Sequence, residues 1–165
     1  MSMTDQLVER AKAYASDFSH GHLPTPPARK VAIVACMDAR LDLFGLFGLD
    51  VGDAHLIRNA GGAVTDDAIR SLAISQRLLG TNEVVLVHHT DCGMLTFKGE
   101  DLAAQIEADT GIRPPWSAEA FADVDADVRQ SLARIAASPF VLHKELVRGF
   151  VYDVRTGILR EVTAG

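Results

Sequence analysis

Cysteine is scarce in this chain: there are two in 165 residues, Cys36 and Cys92. A single pair does not make a disulfide framework. Lysine is scarce as well, with four residues. The twelve arginines are interleaved with acids, and the formal charge is −6. With no basic stripe and no positive balance, nucleic acid is excluded as an expected partner. No apolar run approaches the roughly 18 residues of a membrane helix. The opening "MSMTDQLVERAKAYASDFSH" has neither the basic start nor the apolar centre of a signal peptide. The expectation is a cytoplasmic protein with no membrane association. In that compartment a stable disulfide is disfavoured. Internal repeats and low-complexity segments are also missing.

What remains is an ordinary globular composition, 48% hydrophobic and 23% charged. A chain of this size buries about 70% of its unfolded surface. One domain, 1–165, is the reading that fits.

Residues 4–19 carry Leu7, Val8, Ala11, Tyr14, Ala15 and Phe18 at helical spacing, with Thr4 and Asp5 available to the N-terminus. "HGHLPTPPARK" then breaks the pattern with three prolines and a glycine. This first helix is thus detached from the main body, and its apolar face needs a surface to pack on. "VAIVAC" (31–36) is a continuous apolar run rich in β-branched residues, the mark of a strand buried on both faces. "DLFGLFGL" is a short helix or a turn. "AHLIRNA" and "EVVLVHH" (83–89) are further strands. Helices are expected over 65–79, capped by Thr65 and ended by Gly80, over 101–109 and over 118–137. "RGFVYDVRTGILREV" closes the chain as a hairpin-like pair turning at "RTG". Strands alternating with helices define an α/β fold with a mostly parallel sheet flanked by helices. Ligands in such sheets sit beyond the carboxyl ends of the strands.

Both cysteines lie at strand ends. Cys36 is followed by Asp38 and Arg40, and His89 stands three residues before Cys92. Two thiolates and an imidazole form a known catalytic zinc set that leaves a fourth position for water. Asp38 can fill that position and close the site, or pair with Arg40 in a bidentate contact and leave it open. The closed arrangement sums to −1 and the open one to zero. Each feature has a plainer reading. An isolated cysteine is most often a buried apolar thiol, and an Asp–Arg pair most often a surface contact of little worth. The joint pattern outweighs those readings. His88 alternates with His89, faces the other side of the sheet and reads as structural. His20, His22, His55 and His143 have no neighbours that recommend them. "RNAGG" (58–62) serves equally as tight turn geometry or as backbone amides offered to an anion.

On "CMDAR", "RNAGG", "HHTDCG" and the closing "GFVYDVRTGIL", the chain resembles the β-class carbonic anhydrases in their minimal-length form. The resemblance implies a zinc enzyme for reversible hydration of carbon dioxide to bicarbonate and a proton. It implies one Zn²⁺ per chain on Cys36, His89 and Cys92, and hydroxide on the metal oriented by the Asp38–Arg40 dyad. In some members the aspartate instead takes the fourth zinc position. It further implies four parallel strands plus an antiparallel edge strand, and a homodimer, in some members a tetramer. The N-terminal helix (1–20) would embrace the partner subunit. Gly62 and Gly93 are offered as backbone donors in the substrate pocket. Plant-type members often carry a second glycine after the C-G pair, where this chain has Met94. Three rival readings are a carbon disulfide or carbonyl sulfide hydrolase on the same site, a closed zinc-binding regulatory protein, and a redox dithiol. The last is disfavoured by the 56-residue separation of the cysteines.

Overall fold

The computed structural model describes residues 1–163. Five strands form one sheet in the order β2-β1-β3-β4-β5. These are β1 (Val31–Cys36), β2 (Ala54–Asn59), β3 (Glu83–His89), β4 (Val147–Tyr152) and β5 (Leu159–Val162). The first four run parallel and β5 pairs antiparallel with β4, Gly149 facing Val162. The expected α/β sheet with an antiparallel edge strand is therefore the observed one. The helices are α1 (Met3–Ser16), α2 (Leu43–Phe47), α3 (Asp66–Leu79), α4 (Gly99–Thr110) and α5 (Val124–Ala137). None of the described helices is long and apolar enough to cross a membrane.

The central strands are apolar throughout because both faces are covered. Ala32 and Val34 join Val84, Leu86, Leu72 of α3 and Ile135 of α5 in one core. Ile33 and Ala35, pointing the other way by the two-residue period, join Val87, Leu41, Leu43 and Met94 in a second. The second core underlies the carboxyl ends of β1 and β3.

The helix ends differ from the sequence reading for local reasons. The cap of α1 is Ser2, not Thr4. Its hydroxyl accepts from the Asp5 amide at 3.1 Å, and Asp5 accepts from the Ser2 amide at 2.7 Å, a capping box. The helix stops at Ser16 rather than 19, with Asp17 as its C-cap. "DLFGLFGL" is a helix: Asp42 caps it through the Gly45 amide, and Gly48 ends it at φ +58°. Residues 118–123 are not helical. Asp123 caps α5 through the Ala126 amide at 2.7 Å, and the Phe121 amide donates to the Met94 carbonyl at 3.3 Å. That bond lays 118–123 over the loop after β3. None of the residues of α1 is buried within the chain.

Candidate metal centre

β1 has β2 on one side and β3 on the other, so the chain reverses its direction of travel across the sheet between β1 and β3. A parallel sheet opens a crevice at such a switch point, beyond the strand ends. Cys36 is the last residue of β1 and His89 the last of β3, with Cys92 three residues further on. The three side chains are buried, at 4%, 1% and 3% exposure. Their donor atoms all lie within 4.8 Å of one another.

The two sulfurs are 4.0 Å apart, both thiols free. A disulfide needs about 2.05 Å. Two sulfurs on one tetrahedral zinc, each at about 2.3 Å, stand about 3.8 Å apart. The spacing therefore suits a shared ion. His89 supplies the second test. Its Nδ1 donates to the Thr90 carbonyl at 2.8 Å, which assigns the proton to that nitrogen and leaves the Nε2 lone pair free. Nε2 is buried without a hydrogen-bond partner. A metal ion satisfies that orphaned acceptor, so the residues fit zinc.

The electrostatics run the same way. The Cys36 thiol is pushed down, first by a hydrogen bond from Cys92, then by His89 and by the amides of Asp38 and Gly61, against the effect of burial. Cys92 is pushed up by its hydrogen bond to Cys36 and by burial. Two thiols this close share one proton between them, and a divalent cation displaces it. Burial opposes a charged His89, but the neighbouring Cys36 sulfur and the Thr90 carbonyl raise it overall. The amides of Asp38 and Gly61 lower Cys36, and the amide of Met94 opposes the rise of Cys92. Gly62 and Gly93 are each one residue from such an amide. Gly62 itself is buried at φ +69° against the backbone of β1 and β3.

Asp38 and Arg40 meet as a bidentate pair: Nε to Oδ1 at 2.9 Å and Nη2 to Oδ2 at 2.8 Å. The Arg40 side chain, with its backbone amide also on Oδ1, holds the Asp38 carboxyl well below the usual carboxylate range. Asp38 Oδ2 nevertheless lies only 3.6 Å from His89 Nε2. The acid stands beside the donor cluster, turned toward the arginine.

Two residues beyond the sequence reading complete the site. Arg58, at the head of "RNAGG", donates to the carbonyls of Cys36 at 3.0 Å and Asp38 at 2.7 Å, bracing the loop after β1. Asp91, inside the His89–Cys92 spacer, accepts from Arg40 Nη1 at 2.8 Å. The signal for both was their place within motifs already singled out. His88 turns away from the donors, with Nδ1 2.9 Å from Asp127 of α5.

Fold and donor set together define a parallel-sheet metalloprotein with a centre of the catalytic zinc type, three protein donors and an acid at hand. A family model described as carbonic anhydrase matches residues 31–159. The chain is 58% identical over 163 residues to Beta-carbonic anhydrase 1 of Mycobacterium bovis, covering 99% of both chains. It overlays the carbonic anhydrase of Streptococcus mutans with a TM-score of 0.90 at 43% identity, covering 99% of both chains. It is also 32% identical to a carbon disulfide hydrolase of Acidithiobacillus thiooxidans, covering 97% of this chain and 90% of that one. The chain belongs to the β-class carbonic anhydrases, zinc lyases that hydrate carbon dioxide.

Proposed function

We propose that this chain catalyses the reversible hydration of carbon dioxide to bicarbonate and a proton, with one zinc per chain held by Cys36, His89 and Cys92. The observation that carries this reading is a three-donor buried cluster with a carboxylate beside it that Arg40 restrains. Zinc in such a site lowers the pKa of water and supplies a nucleophile at mild pH. The chain's own residues do the rest. Cys36, with amides on its sulfur, and the oriented His89 hold the ion in place. Asp38, kept ionised by Arg40, offers only acceptor oxygens. Its Oδ2 takes a hydrogen bond from the attacking water and turns the water's lone pair toward the carbon. Gly62 and Gly93 are the backbone groups we assign to the substrate side.

The whole chain, 1–165, acts as one domain in a cytoplasmic homodimer, which in turn pairs into a tetramer or stands alone. The exposed Leu7, Val8 and Tyr14 on α1, with Phe18 just beyond its end, support the homodimer. A helix that buries nothing in its own subunit is accounted for by packing on a partner, here segment 1–20 on the second subunit.

The likeness to a carbon disulfide hydrolase supports a second substrate class, carbon disulfide or carbonyl sulfide, on the same donors. The higher identity to the mycobacterial carbonic anhydrases favours carbon dioxide. Stopped-flow hydration assays on zinc-loaded protein, beside hydrolysis assays with the two sulfur substrates, decide between them. One zinc per chain with no turnover of any of the three would instead identify a closed regulatory protein.

A further inference from the structure

We propose that Asp91 is a positioning residue of the gate: it anchors Arg40 so that Arg40 keeps Asp38 off the metal. The gate is Asp38, which either fills the fourth metal position or pairs with Arg40, and the inference rests on that reading. Asp91 lies between two donors and adopts φ +53°. Few non-glycine residues accept that conformation, aspartate and asparagine among them. Held so, its carboxylate reaches Arg40 Nη1 at 2.8 Å and its own carbonyl reaches Nη2 at 2.9 Å. With Asp38 on Nε and Nη2, each of the three guanidinium nitrogens donates to one of the two acids.

Two effects of Asp91 compete. A second carboxylate shares the charge of Arg40 and so weakens its electrostatic hold on Asp38. It also fixes an arginine that would otherwise sample many rotamers, and fixes it to the loop that carries His89 and Cys92. The side chains of Arg40 and Asp91 are 47% and 66% exposed. Water screens the charge effect at that exposure, whereas the positional hold is not screened. The positional effect wins, and removing Asp91 sends Asp38 toward the metal.

The test uses chains loaded with cobalt(II), and azide as a probe that needs the fourth position. Its binding is followed by visible absorption, at a pH where the unmodified chain is partly closed. Asp91→Asn and Asp91→Gly both tolerate the backbone angle, so one of the two suffices if the other fails to fold. Closure divides azide affinity down to the fraction of sites left open, so the apparent dissociation constant rises by the reciprocal of that fraction. The expected rise is about two- to fivefold, the scale of an exposed ion pair, with one metal per chain retained. Loss of a negative charge would by itself favour the anion, so weaker binding reports closure. Arg40→Gln is run alongside. If it leaves azide affinity unchanged, the gate reading fails and this one with it. If neither Asp91 variant weakens azide binding, Asp91 is not the anchor, whatever Arg40→Gln does, since that variant also removes a positive charge that favours the anion. Loss of metal from the Asp91 variants would make Asp91 a residue of loop folding and would also overturn the proposal.

Discussion

Replacing Gly62 by alanine isolates what holds the two donor-bearing strand ends together. Gly62 sits at φ +69°, and a Cβ added there would lie 2.8 Å from the Cys36 amide nitrogen, 3.0 Å from the Ala35 carbonyl carbon and 3.2 Å from the Val87 carbonyl oxygen. All three atoms are backbone of β1 or β3, the strands that end in Cys36 and His89, so none can step aside alone. A left-handed alanine costs about 1–2 kcal/mol, and overpacking a close-packed site adds about 1–3 kcal/mol. The sum is about 2–5 kcal/mol, a large share of the roughly 5–15 kcal/mol that holds a typical domain folded. Gly48 is the internal control. It has φ +58° and nothing within 4 Å of the added carbon, so Gly48→Ala carries only the conformational cost of about 1–2 kcal/mol. At about 2–4 °C per kcal/mol for a chain of this size, Gly62→Ala lowers the melting temperature by about 4–20 °C, and Gly48→Ala by about half as much or less. Both are measured at one protein concentration, since assembly makes melting concentration-dependent. Zinc content per chain falls in Gly62→Ala and not in Gly48→Ala, because the strain lands on Cys36. Equal melting temperatures for the two variants would refute the close-approach argument.

Cys36→Ser, Cys92→Ser or His89→Ala abolishes stoichiometric zinc binding by metal analysis, with no redox phenotype. A zinc-free variant that retains hydration activity would remove the metal reading. The Asp125 carboxyl is lowered by its hydrogen bonds from Arg160, against burial. A depressed folded pKa contributes stability above the ordinary aspartate value of 3.8 that is lost as pH falls through the folded value. Arg160→Gln therefore costs up to about 1 kcal/mol at neutral pH, and the difference from the unmodified chain shrinks in urea titrations as pH falls below 3.8. Asp127→Ala leaves His88 buried opposite an empty place and costs about 1–3 kcal/mol. Its zinc content stays at one per chain, because His88 faces away from the donors.

The sheet was legible because its residues leave little choice. "VAIVAC" and "EVVLVHH" are apolar at both parities, which only a strand covered on two faces explains. The stretch 118–123 was not, for a tertiary reason. Nothing in Ala118 to Ala122 forbids helix, but the Phe121 amide is drawn to the Met94 carbonyl, and the Asp123 side chain starts the helix later. Ser2 went unread as a cap because Thr4 and Asp5 offer the same chemistry two and three residues on, and only geometry shows that Asp5 completes a box with Ser2.

The same distinction divides the site. Cys36, His89 and Cys92 declare themselves by residue type at strand ends, and the order β2-β1-β3 supplies the one missing fact, that the two ends are neighbours. Arg58 and Asp91 declare nothing by type, since arginine and aspartate are usually surface residues. Their meaning lies in what they reach: Arg58 the carbonyls of Cys36 and Asp38, Asp91 the guanidinium of Arg40 from 51 residues away. A donor must be one of a few residue types, so chemistry writes it into the sequence. A brace need only be a hydrogen-bonding group of the right length at the right place. It becomes visible only once β1, β2 and β3 lie side by side and bring Arg58 of β2 against the loop after β1, and Asp91 of the loop after β3 against Arg40.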